Sequence, residues 1–194
     1  MTFDDIVKAR RSVREYQSRP VKEEDIVAIC EAARWAPSAS NAQTWRFIAV
    51  TDRGLIDRLC NEALRPVIRN KWLRQAPLII VGCSHLDIVA NRIGTRVTGI
   101  EYYRIDLGIA MEHMVLKATE LGLGTCYVGW FKEDKVKELL GIAERVRVSV
   151  LLAVGYAADR PPAKRSRKPL GRILFSETWA NAFRIRNADN AGPG

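Results

Sequence analysis

The chain has 194 residues, 47% of them hydrophobic and 27% charged, which is typical of a globular protein with a single core. Its 31 Lys and Arg residues against 22 Asp and Glu residues give a net charge of +9, which favours anionic partners but does not separate nucleic acid from a phosphorylated cofactor. The four cysteines form no C-x-x-C pair, so we expect no metal site. No apolar stretch is long enough to span a bilayer and no signal peptide is visible, so we expect a cytoplasmic protein without a membrane partner.

The predicted elements mix helices and strands without an internal repeat. In chain order they are a helix at 2–10, a helix at 20–37, a strand at 45–52, a helix at 54–63, a strand at 76–83, a helix at 102–121, a strand at 125–129, a helix at 132–141 and a strand at 146–157. The strand at 76–83 is apolar throughout, which indicates burial on both faces. The helix at 102–121 has few polar positions, so burial on more than one face is expected, and Gly122 is expected to end it. The absence of a regular βαβ alternation and of G-x-G-x-x-G disfavours a Rossmann fold.

The segment RRSVREY, residues 10–16, places three arginines where they repel one another. This pattern is typical either of a solvated surface or of a site for an anion. Arginine suits an anion site because its planar guanidinium is always charged and binds two oxygens at once. We expect the chain to leave the first helix near Arg11, so that Arg10 and Arg14 diverge.

Two further segments are ambiguous by themselves. APSASNAQTW, residues 36–45, is either a polar turn or a loop whose amides face a flat ligand. In ELGLGTCYVGWF, residues 120–131, Gly124 and Gly129 stand in or beside a strand. Glycine weakens a strand, so its presence there indicates the close approach of a ligand or of other protein atoms.

The basic run at 160–172 contains no acid, which is typical of a solvated or nucleic-acid-binding arm. Its prolines stiffen it, and the apolar segment at 173–183 that follows is unlike a disordered tail. We expect residues 173–183 to dock on another surface, such as a second subunit.

The segments RRSVREY, APSASNAQTWRF, LKATELGLGTCYVGWF and VGYAADRPPAKRSRKPL resemble, in order and spacing, the nitroreductase family of FMN-dependent flavoproteins. The resemblance covers about residues 5–172. It implies an α+β fold with a central, mostly antiparallel sheet flanked by helices, in an intertwined homodimer with FMN at the subunit interface. We therefore expect an FMN-binding domain at 1–172 and a C-terminal extension at 173–194. The apolar residues at 173–183 are expected to pack on the partner subunit.

The resemblance also implies which residues contact FMN. They are Arg10, Arg11, Ser12 and Arg14 of one subunit, Pro37, Ser38, Ala39 and Asn41 of the other, and Lys71, Val128, Gly129, Arg165 and Arg167. Val128 and Gly129 match the segment near the ring nitrogen N5, and Arg165 and Arg167 match the pair that holds the phosphate. Arg14 is expected to tune the flavin.

The implied activity is an oxidoreductase reaction in two stages. NAD(P)H delivers hydride to flavin N5, and a nitroaromatic, a quinone or a similar small molecule then takes the electrons in a ping-pong mechanism. No catalytic side chain is predicted, because the cofactor carries the chemistry. Two alternatives stay open: a non-catalytic FMN-binding protein, and a basic nucleic-acid-binding domain, which would show strongly salt-dependent affinity. The resemblance itself implies no nucleic-acid partner.

Overall fold

The computed structural model describes residues 1–65, 70–86, 99–158 and 165–183. The chain divides into two compact units, Met1–Asp159 and Arg160–Gly194. The predicted C-terminal extension at 173–194 begins inside the second unit, and residues 184–194 of it lie outside the described residues. Its packing on a partner subunit stays a prediction, as does a domain boundary at residue 172.

The first unit contains every helix and strand that the sequence predicts for it. They are α1 (Phe3–Ala9), α2 (Glu23–Arg34), β1 (Trp45–Val50), α3 (Arg53–Arg58), β2 (Leu78–His85), α4 (Tyr102–Glu120), β3 (Gly124–Val128), α5 (Glu133–Leu140) and β4 (Val146–Gly155). The predicted helix at 54–63 changes character, because its second half, Leu59–Ala63, is π-helical. Short 3₁₀ turns occupy Ala39–Asn41 and Lys71–Gln75.

The ends of two helices follow from local chemistry. Thr2 caps α1, since its hydroxyl accepts from the Asp5 amide (3.2 Å) while the Asp5 carboxylate accepts from the Thr2 amide (2.9 Å). This reciprocal pair satisfies two amides that the helix cannot bond itself. Gly122, with φ of +75°, follows the end of α4 and confirms the predicted C-terminal role of a glycine in the left-handed region.

The four strands form one sheet in the order β1-β2-β4-β3, and every neighbouring pair is antiparallel. β2 is central and buried on both faces, as its apolar sequence predicts. Ile79 and Val81 enter a core that includes residues of α3 and α5. Leu78 and Ile80 point to the other face and enter a core that includes residues of α2 and α4. Helices therefore cover both faces of an antiparallel sheet.

In a single chain, the long helix α4 buries only one stripe of side chains. The prediction that this helix is buried on more than one face is therefore wrong for the isolated protomer. Its buried residues are Tyr103, Asp106, Leu107, Ala110, Met111, Met114, Val115 and Ala118. They recur at spacings of three and four residues, which places them on one side of the helix. On another side, Ile105 is 52% exposed and a side chain at Gly108 would meet nothing within 4 Å.

The described residues contain no helix that is both long and apolar enough to cross a membrane. In the same ranges no three His, Cys, Asp or Glu side chains converge as metal ligands would. All four cysteines are free thiols. The second unit, where described, contains the 3₁₀ turn Leu170–Arg172 and a bridge between Phe175 and Ala182.

Candidate functional site

The arginine-rich segment at 10–16 lies beside β3 at Ser12 and Val13. Val13 donates its amide to the carbonyl of Thr125 (2.8 Å), next to a parallel bridge between Ser12 and Thr125. α1 ends before this segment, as predicted, so its arginines are not stacked on one helical turn.

Val13 and Tyr16 anchor this segment to the core. Both are buried, and the Tyr16 hydroxyl donates to the Val13 carbonyl (2.7 Å). Burial raises the pKa of Tyr16 well above its usual value, so the phenol stays neutral. A Cβ on Gly124 would lie 2.6 Å from a methyl carbon of Val13. Gly124 is therefore explained by the packing of this valine, without a ligand.

Two cations at this edge of the sheet lack a carboxylate partner among the described residues. Arg14 is exposed, and its guanidinium carbon lies 5.9 Å from the centroid of the Trp72 ring. Lys71, also exposed, precedes Trp72 in the same 3₁₀ turn. The cation–π contact orients Arg14 without neutralising it. The arrangement favours an anionic or electron-rich ligand.

A buried thiol underlies Ser12 and Arg14. Burial raises the pKa of Cys126, whereas the Arg14 charge and a hydrogen bond with the Ser12 side chain act to lower it. The neighbouring Tyr127 donates its hydroxyl to Glu112 of α4 (3.5 Å), and desolvation raises its pKa. β3 thus presents neutral side chains beside the arginines.

The end of β3 leaves open space at a glycine. Val128 is buried, but Gly129 is exposed and a Cβ there would meet nothing within 4 Å. The turn that follows is held by Arg65, whose amide donates to Trp130 (3.2 Å) and whose Nε donates to the Phe131 carbonyl (3.1 Å). A ligand can approach the Gly129 backbone, whereas the space beside Gly124 is filled by Val13.

The loop before β1 is strained. Ser40, Asn41 and Gln43 have φ of 52°, 53° and 46°, in the left-handed region that non-glycine residues rarely adopt. Each such residue costs about 1–3 kcal/mol and persists only where its surroundings enforce it. Gln43 donates its amide to Ser38 Oγ (3.0 Å) and its side chain to Asn41 Oδ1 (3.0 Å). A polar turn without function has no need of this strain, so the loop is a candidate ligand contact.

The predicted site residues fall into separate groups within one chain. Residues 10–14 and 128–129 belong to the β3 edge of the sheet, whereas residues 37–41 precede β1 at the opposite edge. Three strand spacings separate these edges, about 14 Å. Arg165 and Arg167 are exposed in the second unit. In the strand order, the loop at 37–41 and the arginine segment are therefore connected to opposite edges of the sheet.

Two residues of interest were missed in the sequence. Trp72 directly follows Lys71 and contacts Arg14, but an aromatic residue in a short turn carries no distinctive pattern. Asp106 is 3% exposed, and its Oδ1 accepts from the Ala39 amide (3.0 Å) of the strained loop. A signal for Asp106 did exist, because it is an acid within the apolar run that forms the buried stripe of α4.

The family model described as the nitroreductase family matches residues 7–69 and 61–156. A protein of Archaeoglobus fulgidus, named for NADH dehydrogenase and NAD(P)H nitroreductase activity, is 34% identical over 79% of this chain and 84% of its own. The FMN reductase [NAD(P)H] of Bacillus subtilis is 28% identical over 92% of this chain and 76% of its own.

A similar solved structure is that of a nitroreductase family protein from Clostridium difficile 630. It is 32% identical, has a TM-score of 0.79, and is aligned over 92% of this chain and 99% of its own. The chain therefore belongs to the nitroreductase family, which confirms the family, the α+β fold and the oxidoreductase class predicted from its motifs.

Proposed function

We propose that this protein is an FMN-dependent oxidoreductase that takes electrons from NAD(P)H and passes them to a small-molecule oxidant such as a nitroaromatic or a quinone. The observation that carries the proposal is the pair of exposed cations, Arg14 and Lys71, which lack a carboxylate partner in the described part of the chain. The open space at Gly129, at the end of β3, adds to it. The name of the Bacillus subtilis relative, an FMN reductase, supports the choice of cofactor.

The residues present fit FMN. The cofactor carries a phosphate dianion at one end and a ring that gains negative charge on reduction at the other. Arg14 and Lys71 offer positive charge for the ring, and Arg165 and Arg167 offer it for the phosphate. Bound FMN would supply the redox chemistry by accepting hydride from NAD(P)H and releasing two electrons to the oxidant in a ping-pong sequence.

The chain supplies binding, orientation and electrostatics. Arg10, Arg11 and Ser12 contribute side chains and backbone from the segment that follows α1. Val128 and Gly129 bring backbone to the ring edge, because the missing side chain at Gly129 leaves room there. Hydride transfer to and from the cofactor would need position and a suitable field. The proton that completes reduction of the oxidant would come from solvent, so no general acid among the side chains is required.

The active form is proposed to be a homodimer with FMN shared between subunits. Residues 37–41 of one chain precede β1, whereas its arginine segment contacts β3 at the other edge of the sheet, so residues 37–41 would serve the partner's cofactor. The exposed Ile105 on α4, together with the open surface at Gly108, supports a partner helix on that side. Residues 173–183 would add a second contact with the partner.

The test is an absorbance spectrum of the purified protein, reconstituted with FMN and mixed anaerobically with NADH or NADPH. We expect a yellow protein with one FMN per chain, bleaching of the flavin band by the nicotinamide, and recovery of the band when a quinone is added. Stoichiometric FMN that NADH and NADPH both fail to bleach would indicate a binding protein. A protein that does not retain FMN, and binds DNA or RNA with strong salt dependence instead, would refute the proposal.

A further inference from the structure

Asp106 is a buried carboxylate to which the proposed reaction assigns no role. It is 3% exposed on the stripe of α4 that faces the core. Oδ1 accepts from the amide of Ala39, while Oδ2 is buried without a hydrogen-bond partner in the described part of the chain. Burying a carboxylate with one oxygen unpaired is costly, because the charged group loses its hydration.

The single hydrogen bond that Asp106 makes reaches the strained loop. The Ala39 amide opens the 3₁₀ turn in which Ser40 and Asn41 adopt left-handed φ values. Among the described residues, the other hydrogen bonds of this loop are local, such as that from the Gln43 amide to Ser38, so they do not fix the loop relative to the rest of the fold. The bond from Ala39 to Asp106 joins residues 67 positions apart and ties the loop to the long helix.

We infer that Asp106 is a positioning residue for FMN: its carboxylate holds the loop at 37–41 in the conformation that meets the cofactor. This inference rests on the proposed function, since the loop contacts FMN only if the protein binds it. A carboxylate forms a stronger hydrogen bond to a backbone amide than a neutral acceptor does. A strong hydrogen bond is suited to hold a loop whose residues adopt backbone conformations that they otherwise disfavour.

The test compares three full-length variants with the wild type. Asp106→Leu removes the acceptor, whereas Asp106→Asn keeps an oxygen at Oδ1 but no charge. Leu107→Ala is the matched control, because Leu107 is the adjacent buried residue of α4 and makes no bond to the loop. Two quantities are measured: exchange of the Ala39 amide hydrogen in flavin-free protein, and the Kd for FMN from quenching of flavin fluorescence. Thermal unfolding reports general stability.

We expect Asp106→Leu to lose protection of the Ala39 amide and to weaken FMN binding by about tenfold or more, as loss of one charge-assisted hydrogen bond predicts. Asp106→Asn should be intermediate for both quantities, because it keeps an acceptor for the Ala39 amide but loses the charge. Leu107→Ala should lower the melting temperature at least as much as Asp106→Leu, yet bind FMN within about threefold of the wild type.

Normal Ala39 protection or normal FMN affinity in Asp106→Leu would overturn the inference, as would equal losses in Asp106→Asn. If Leu107→Ala weakened FMN binding as much as Asp106→Leu does, Asp106 would act only through general stability, and the inference would also be overturned. A wild-type protein that binds no FMN would refute the proposed function instead, and the exchange of the Ala39 amide would still report whether Asp106 holds the loop.

Discussion

Arg14 offers a direct test of the electrostatics of the site. The family resemblance implies that this residue lies at the pyrimidine edge of the flavin, where reduction places negative charge. Its guanidinium contacts the Trp72 ring and has no carboxylate partner in the described chain, so its charge is available to a ligand. A fixed cation there stabilises the reduced cofactor more than the oxidised one. Replacing Arg14 with Gln should therefore lower the midpoint potential.

The size of the shift follows from the exposure of the side chain. A hydrogen bond that involves a charged group contributes about 1.5–3 kcal/mol. Arg14 is exposed, so solvent screening reduces the differential to about 1–2 kcal/mol. For a two-electron couple this corresponds to roughly 20–45 mV. Arg14→Lys should give a smaller shift, because it keeps the charge but loses the planar, two-pronged geometry.

The assay is a spectroelectrochemical titration of each variant at saturating FMN. Arg19→Gln is the matched control, since Arg19 is another exposed arginine whose guanidinium carbon lies over a ring, 3.9 Å from the centroid of Tyr156, but which is not among the proposed FMN contacts. We expect its midpoint to equal that of the wild type. An unshifted midpoint in Arg14→Gln would refute the argument, and an equal shift in Arg19→Gln would mean that net charge, rather than position, sets the potential.

Three further predictions test packing, phosphate binding and assembly. Gly124→Ala should lower the free energy of unfolding in urea by about 1–3 kcal/mol, because the new Cβ overlaps Val13. Gly129→Ala should change that free energy by less than about 0.5 kcal/mol but weaken FMN binding. A larger loss of stability in Gly129→Ala than in Gly124→Ala would contradict the packing. The double substitution of Arg165 and Arg167 by Ala should weaken FMN binding more than about tenfold and riboflavin much less, and equal losses would remove these arginines from the phosphate. Truncation after Gly171 should raise the dimer dissociation constant measured by analytical ultracentrifugation, and an unchanged value would contradict docking of the C-terminal segment.

The helices and strands could be predicted because their signals are local. The apolar run that forms β2 indicated a strand buried on both faces, and Gly122 indicated the end of α4. The order of the strands could not be obtained in this way. β2 pairs with β4, about 70 residues later, and such pairings depend on contacts between distant segments that no local pattern records.

The site was predicted less completely, because the same residue type can occupy a position for different physical reasons. Gly124 and Gly129 are indistinguishable in the sequence, yet the first makes room for Val13 and the second borders open space. Asp106 and the Ala39 amide are distant in sequence, so their hydrogen bond became visible only in the structure. Arg10 and Arg14 were recognised through a family motif, and they lie beyond the end of α1, so they are not stacked on one helical turn.

The separation of the candidate residues explains features that are puzzling in a lone chain. α4 has an apolar sequence but buries only one stripe, which leaves Ile105 exposed. The loop at 37–41 is strained and anchored, yet lies across the sheet from the arginine segment. Arg14 carries a charge that no described carboxylate balances. A second chain packed on α4 would cover the apolar residue and bring a strained loop to an arginine segment, and an anionic cofactor between them would relieve the repulsion within RRSVREY.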